Sequence, residues 1–177
     1  MKIINSESEY FIYILDILKD TTADGPGLRT SIYSSGCSHK CKGCHNPTSW
    51  NMEKGNKISV NELEKIIIEQ NRDITFTGGD PFFQIEAFIK LASLIKEDTN
   101  LKIWCYTGYK IEDILEDKTK SELLNYIDVL VDGKFEEKKK DLNLYFRGSS
   151  NQRLIDVKAT LKFNKVIIFD YNPLPIF

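Results

Sequence analysis

No apolar run in the sequence approaches the ~20 residues that a membrane-crossing helix needs, and Tyr10 to Leu18 is broken by Asp16. No membrane partner is therefore expected. A basic excess is missing too: 24 Lys and Arg stand against 26 Asp and Glu, a formal net charge of -2. Nucleic-acid-binding domains are usually basic, so no nucleic-acid partner is expected either. The one dense charge run, Glu136 to Asp141, mixes signs and reads as a solvated turn. The start, Met1-Lys-Ile-Ile-Asn-Ser-Glu7, does not have the form of a signal peptide. No repeat, low-complexity tract or Gly/Ser linker divides the chain, so residues 1–177 are read as one domain. Cysteines number only four. Without a secretion signal they point to a reducing cytoplasm and to metal or redox use over disulfides.

Three of the four sit in Cys37-Ser-His-Lys-Cys41-Lys-Gly-Cys44, with Asn46-Pro47 just behind. Offsets of four and three let one short loop aim three thiols at one inorganic centre. Thiolates are soft ligands that select zinc or iron–sulfur clusters. A 4Fe–4S cubane takes one ligand per iron, so three cysteines would leave one iron open to an outside ligand. Zinc could instead take the three sulfurs with His39 or His45 in a closed structural site, and unliganded thiols are the third reading. Spacing alone leaves these open.

The rest of the chain alternates strands with helices. Residues 9–18 and Leu28 to Ser34 read as strands, separated by the turn Asp24-Gly-Pro-Gly27. Ser59-Val-Asn-Glu62 matches a capping box, with Leu63, Ile66 and Ile67 at helical spacing behind it. Asp73 to Thr77 is a strand ending at Gly78-Gly-Asp-Pro81. The following helix is read with Phe83, Ala87, Phe88, Leu91 and Leu94 or Ile95 facing inward. Leu101 to Tyr106 is the next strand; Thr107-Gly108 leads to a helix near 110–117, and Thr119 opens another helical turn. Ile127 to Val131 is a strand ending in Asp132-Gly133, residues 142–157 read as a hairpin or irregular segment, and Val166 to Phe169 as a last strand. Such spacing predicts an α/β fold with parallel strands joined by crossovers. A complete eight-fold barrel takes ~250 residues, so a partial, open (βα) barrel is expected. The cysteine loop, Gly78-Gly79-Asp80, Thr107-Gly108 and Asp132-Gly133 all follow strands, and ligands of parallel sheets bind at strand carboxyl ends. Cys105, mid-strand beside Trp104, reads as a buried core thiol.

Taken together, Asp24-Gly-Pro-Gly-Leu-Arg-Thr30, the Cys-x3-Cys-x2-Cys loop with Asn46-Pro47, and Gly78-Gly-Asp-Pro81 resemble the radical S-adenosylmethionine activases of glycyl-radical enzymes. Within that group, Val129-Leu-Val-Asp-Gly-Lys-Phe135 and Phe146-Arg-Gly-Ser-Ser-Asn-Gln152 are similar to the activating proteins of anaerobic (class III) ribonucleoside-triphosphate reductases. The likeness runs from about residue 10 to 157 and leaves 158–177 as an unmatched extension.

This resemblance implies that Cys37, Cys41 and Cys44 hold a 4Fe–4S cluster whose fourth iron is chelated by S-adenosyl-L-methionine. It implies reductive cleavage to methionine and a 5′-deoxyadenosyl radical, which takes a hydrogen atom from a glycine of the reductase large subunit. A reduced flavodoxin-type protein is the implied electron donor. Gly78, Gly79 and Asp80 match the segment that receives the methionine amino group, although Asp80 with Pro81 also makes an ordinary helix start. Gly43, Cys44 and His45 match positions along the adenine. Thr107, Asp132 and Lys134 stand at strand ends suited to ribose or carboxylate contacts, Arg29 is a further contact, and Arg147 and Asn151 are expected at the active site or docking face. The rivals are an activase of another glycyl-radical enzyme, such as pyruvate formate-lyase, and a non-enzymatic zinc-binding module.

Overall fold

The computed structural model describes residues 9–171; the start Met1 to Ser8 and the Pro-containing tail Asn172 to Phe177 lie outside them. Seven strands form one sheet: β1 (Phe11–Thr21), β2 (Arg29–Ser34), β3 (Asn56–Ser59), β4 (Asp73–Gly78), β5 (Ile103–Tyr106), β6 (Val129–Asp132) and β7 (Arg153–Asp156), in the spatial order β3-β1-β2-β4-β5-β6-β7. The four central strands β2, β4, β5 and β6 run parallel, as their crossover spacing requires. The parallel expectation fails at both margins. β1 pairs antiparallel with β2 and β3, and β7 pairs antiparallel with β6. The turn between β1 and β2 is too short for a crossover, so the chain there turns back on itself, whereas β7 returns beside β6 after a long connection that contains no α-helix.

Period-two alternation divides the sheet into two unlike faces. Ile12, Ile14, Ile32, Ile74, Phe76, Ile103, Cys105 and Leu130 point to one face and pack under helices α1 (Val60–Gln70), α2 (Ile85–Asp98), α3 (Ile111–Glu116) and α4 (Lys118–Leu124). The other face carries Arg29, Ser31, Tyr33, Thr75, Thr77, Trp104 and Tyr106. Here Trp104, Val129, Val131 and Leu154 form a second, smaller apolar cluster with Phe146, Phe169 and Tyr171. A strand buried on both faces reads as a nearly continuous apolar run. The polar alternation of β2 and β4 marks the face left for other work.

Local chemistry sets the helix ends. Ser59 caps α1 by accepting from Glu62 N at 3.2 Å, and Asn71 ends it in the left-handed conformation. Asp80 caps a 3-10 turn over Pro81–Gln84 that leads into α2. Ala87, Phe88, Leu91 and Ile95 are buried as their spacing predicts, but Phe83 is 48 % exposed. The turn is 3-10, so helical spacing does not yet apply there, and Gln84 faces inward instead. Its side chain accepts from Tyr13 N at 2.8 Å and donates to the carbonyls of Tyr13 and Ser35. It thereby ties β1 to the start of the cysteine loop just past the last β1–β2 pair, Ile14–Ser34. The cap of α4 is Asp117, which accepts from Thr119 N and Lys120 N, two residues ahead of the start read from Thr119.

After β7 comes a helix, α5 (Val157–Phe163), in a stretch to which the sequence reading assigns no element. Residues 166–169 make a single bridge, Ile155 to Ile168, in place of a full strand. This extension nevertheless braces the polar face. Phe169 packs edge-on to Trp104 at 5.5 Å between centroids, and Tyr171 lies 4.9 Å from Phe146 and 5.3 Å from Tyr145. Aromatic pairs of this kind contribute ~1 kcal/mol beyond their burial. Tyr171→Ala is therefore expected to lower stability by about 1 kcal/mol and to speed proteolysis between Leu142 and Tyr145. Unchanged cleavage there would show that the extension does not hold that loop.

Candidate metal centre

The cysteine loop leaves the carboxyl end of β2 and is rooted by backbone hydrogen bonds on three sides. Gly36 N donates to Ser49 O at 2.7 Å and Cys37 N to Trp50 O at 3.2 Å. From the end of β4, Gly79 N donates to Ser34 O at 2.8 Å and Asp80 N to Gly36 O at 2.9 Å. Cys44 N turns back to Cys41 O at 3.1 Å and closes the loop. All three thiols are free and half-buried.

The thiols open on one cleft of about 370 Å³, a volume that suits a cofactor-sized ligand. The opposite wall contains Gly78, Gly79, Asp80, Tyr106, Thr107 and Gly108, and His45 and Asp24 stand at its edges. Lys134, Phe146 and Arg147 line it from the segments that follow β6. Four separate strand ends thus meet at one rim, because parallel strands present their carboxyl ends on the same side.

Asp80 joins these strand ends. It is 2 % exposed. Its Oδ1 accepts from Phe82 N at 2.9 Å; its Oδ2 accepts from Thr107 Oγ1 and Gly108 N, each at 3.0 Å, and lies 2.9 Å from His39 Nε2. A cap read from the sequence is therefore also the tie between β4, β5 and the cysteine loop. Asp-Pro at a strand end was the only local signal of it.

Other candidates fall elsewhere. Gly43 does not line the cleft but backs onto Glu137. Asp132 is fully buried outside the cleft, where it accepts from Ile111 N at 2.9 Å and from Arg153 Nε at 2.9 Å. Arg29 is 1 % exposed at the amino end of the parallel strands, donating to Thr75 Oγ1 at 2.8 Å and Ile74 O at 2.6 Å, with Trp104 beneath its guanidinium. Its polar groups are engaged in the fold, so the expected contact is not formed by Arg29; from the same segment Asp24 lines the cleft and receives a 2.6 Å hydrogen bond from Tyr33. Asn151 and Gln152 fasten the segment after Phe146 to β6 by donating to Lys134 O at 2.8 Å and Gly133 O at 3.0 Å. Of that motif Phe146, Arg147, Gly148 and Gln152 line the cleft, and Asn151 does not. Cys105 is fully buried on the helix side of β5.

The donor set fits an iron–sulfur group held at three corners. Three thiols come from one loop, the fourth cysteine is sealed in the core, and His39 is turned onto Asp80. Burial raises Cys37 above the ordinary thiol value, against the opposing effect of the backbone N–H groups of His39 and Lys40, and burial raises Cys41 likewise. Both are protonated at neutral pH in the metal-free chain and must lose those protons to become ligands. Loading therefore releases protons and is favoured as pH rises. Iron and sulfide taken up per chain at limiting iron should fall steadily as pH is lowered through the range below the ordinary thiol value; a flat profile would contradict this.

Comparison with known proteins agrees with this donor set. Residues 23–155 match the family model of the 4Fe–4S single cluster domain. Proteins named anaerobic ribonucleoside-triphosphate reductase-activating protein are similar over most of their length. That of Vibrio cholerae is 38% identical over 138 residues, covering 73% of this chain and 88% of the relative. That of Enterobacteria phage T4 is 38% identical over 138 residues, covering 74% and 85%. The Escherichia coli K12 protein is 36% identical over 138 residues, covering 73% and 88%.

Proposed function

Because the chain belongs to the 4Fe–4S single cluster domain family and to the anaerobic ribonucleoside-triphosphate reductase-activating proteins, we propose that it is the iron–sulfur activase of such a reductase. The observation that carries this reading is the meeting of Cys37, Cys41 and Cys44 with Gly78-Gly79-Asp80 across one cleft. When bound, a 4Fe–4S cluster with S-adenosyl-L-methionine supplies one-electron cleavage of the sulfonium carbon–sulfur bond, giving methionine and a 5′-deoxyadenosyl radical that takes hydrogen from a glycine of the reductase large subunit.

The chain's own residues supply position and charge. Cys37, Cys41 and Cys44 would hold the cluster and would leave one iron to the cosubstrate. The Gly78–Asp80 segment, which lines the same cleft, would receive the methionine moiety, with Thr107 donating to the Asp80 carboxylate. Lys134 and Arg147 bring positive charge to a cleft that must take a carboxylate. His45 flanks the adenine from the cleft edge, and Gly43 shapes the loop behind it. Asp132 keeps the end of β6 in place through Arg153. The parallel strands with a cysteine loop at their carboxyl edge fit a partial, open barrel in a single activase domain, extended over 158–177. The electron comes from a reduced flavodoxin-type protein, and free thiols suit a cytoplasmic setting. Among the described residues no helix is long and apolar enough to cross a membrane.

The test is an anaerobic incubation of the reconstituted protein with dithionite, S-adenosyl-L-methionine and the anaerobic reductase. 5′-Deoxyadenosine should form, together with an organic radical signal on the reductase. Cofactor cleavage without that signal would reassign the target, for example to pyruvate formate-lyase. Colourless protein holding one zinc would replace the enzyme with a binding module.

A further inference from the structure

We propose that His39 is a positioning residue which, by bearing on Asp80, holds the Cys37–Cys41 half of the loop in place. This inference rests on the iron–sulfur reading of the cleft. A histidine between two metal-ligating cysteines of a surface loop would ordinarily be solvated. The His39 side chain is only 7 % exposed, and its Nε2 stands 2.9 Å from Asp80 Oδ2, off the line of an ideal hydrogen bond and with no other partner. The ring meets Tyr109 edge-on at 4.6 Å. Gly108 leaves space for it, since a Cβ there would overlap His39 Cδ2.

The backbone around His39 has little else to hold it. Among the described residues, no backbone hydrogen bond joins Ser38, His39 or Lys40 to the sheet, and Lys40 takes a positive φ of 46°. The partners of metal ligands tune affinity and reduction potential. Anchoring His39 on a carboxylate that is itself fixed by Thr107 and Gly108 therefore fixes the backbone between Cys37 and Cys41. The chain here spends a buried polar contact on geometry.

The test uses the full chain, reconstituted anaerobically with iron and sulfide, in three variants. His39→Phe keeps a ring against Tyr109 but has no nitrogen. His39→Gln keeps a donor that can reach Asp80. Asp80→Asn keeps the helix cap and loses the charge. Two quantities are read: the rate of iron loss to a chelator, and the reduction potential of the cluster without cosubstrate. His39→Phe and Asp80→Asn are expected to lose iron about tenfold faster and to shift the cluster's potential, as the loop around Cys37 loses its anchor. His39→Gln should stay near the parent in both. Should His39→Phe not fold, Asp80→Asn and His39→Gln still decide the matter. Parent-like behaviour of His39→Phe or Asp80→Asn, or a His39→Gln no better than Phe, would overturn the inference. A parent chain that takes up no cluster would instead overturn the functional reading on which it rests.

Discussion

Replacing Cys37, Cys41 or Cys44 singly with Ala should yield a folded, colourless chain that forms no 5′-deoxyadenosine. Each thiol is one of three that line the cleft, and no other cysteine does. Cys105 is fully buried on the helix side of β5, and burial with the nearby Asp80 charge raises its thiol well above the ordinary value. His39 is committed to Asp80. Loss of a residue that merely supports a ligand weakens metal affinity 10- to 100-fold, so loss of a ligand should exceed roughly 100-fold. Stability of the metal-free chain should hardly change, because half-exposed thiols contribute little packing. Cys105→Ala is the opposite case: it should keep its iron and lose about 1 kcal/mol from the core cavity. Iron retention after Cys44→Ala, or iron loss after Cys105→Ala, would show that the ligand set is misassigned.

Gly79→Ala should remove cluster binding although residue 79 carries no ligand. A Cβ at this position would overlap the Gly36 carbonyl oxygen and stand 2.9 Å from Ser49 O. Both are backbone atoms and neither can rotate away. Gly36 is also the point where Asp80 N and Ser49 O hold the base of the cysteine loop. The added methyl must push that base outward, at an overpacking cost of about 1–3 kcal/mol. Cys37, next along the chain, moves with it. The expected result is a melting temperature lower by several degrees, with iron uptake falling much further than stability does. Normal iron content in a folded Gly79→Ala chain would separate the glycine pair from the loop it abuts. The two glycines thus make room for the protein's own backbone as well as for a ligand.

The site was legible in the sequence to the extent that its chemistry is local. Cys37, Cys41 and Cys44 had to be near neighbours, since one short loop must aim three sulfurs at one group. Gly78-Gly79-Asp80-Pro81 had to interrupt an apolar strand to make a tight turn. The parallel centre of the sheet was legible for a similar reason, because buried strands and their crossover helices each carry their own periodicity. Phe83 and Gln84 misled because the turn before α2 is 3-10, and helical spacing assigns its faces wrongly. Asp132 looked like a strand-end ligand. Only the return of β7 beside β6 brought Arg153 close enough to take its carboxylate.

By itself, the order of residues determined that three thiols cluster in one loop and which strand ends border it, since both depend on spacing over a few positions. Tertiary structure alone decided that Asp80, Thr107, Gly108 and His39 meet, that Arg29 is turned to the far end of the sheet, and that the extension packs on Tyr145 and Phe146. Those contacts join segments tens of residues apart. No local pattern encodes them, because they exist only once parallel strands have set their carboxyl ends side by side.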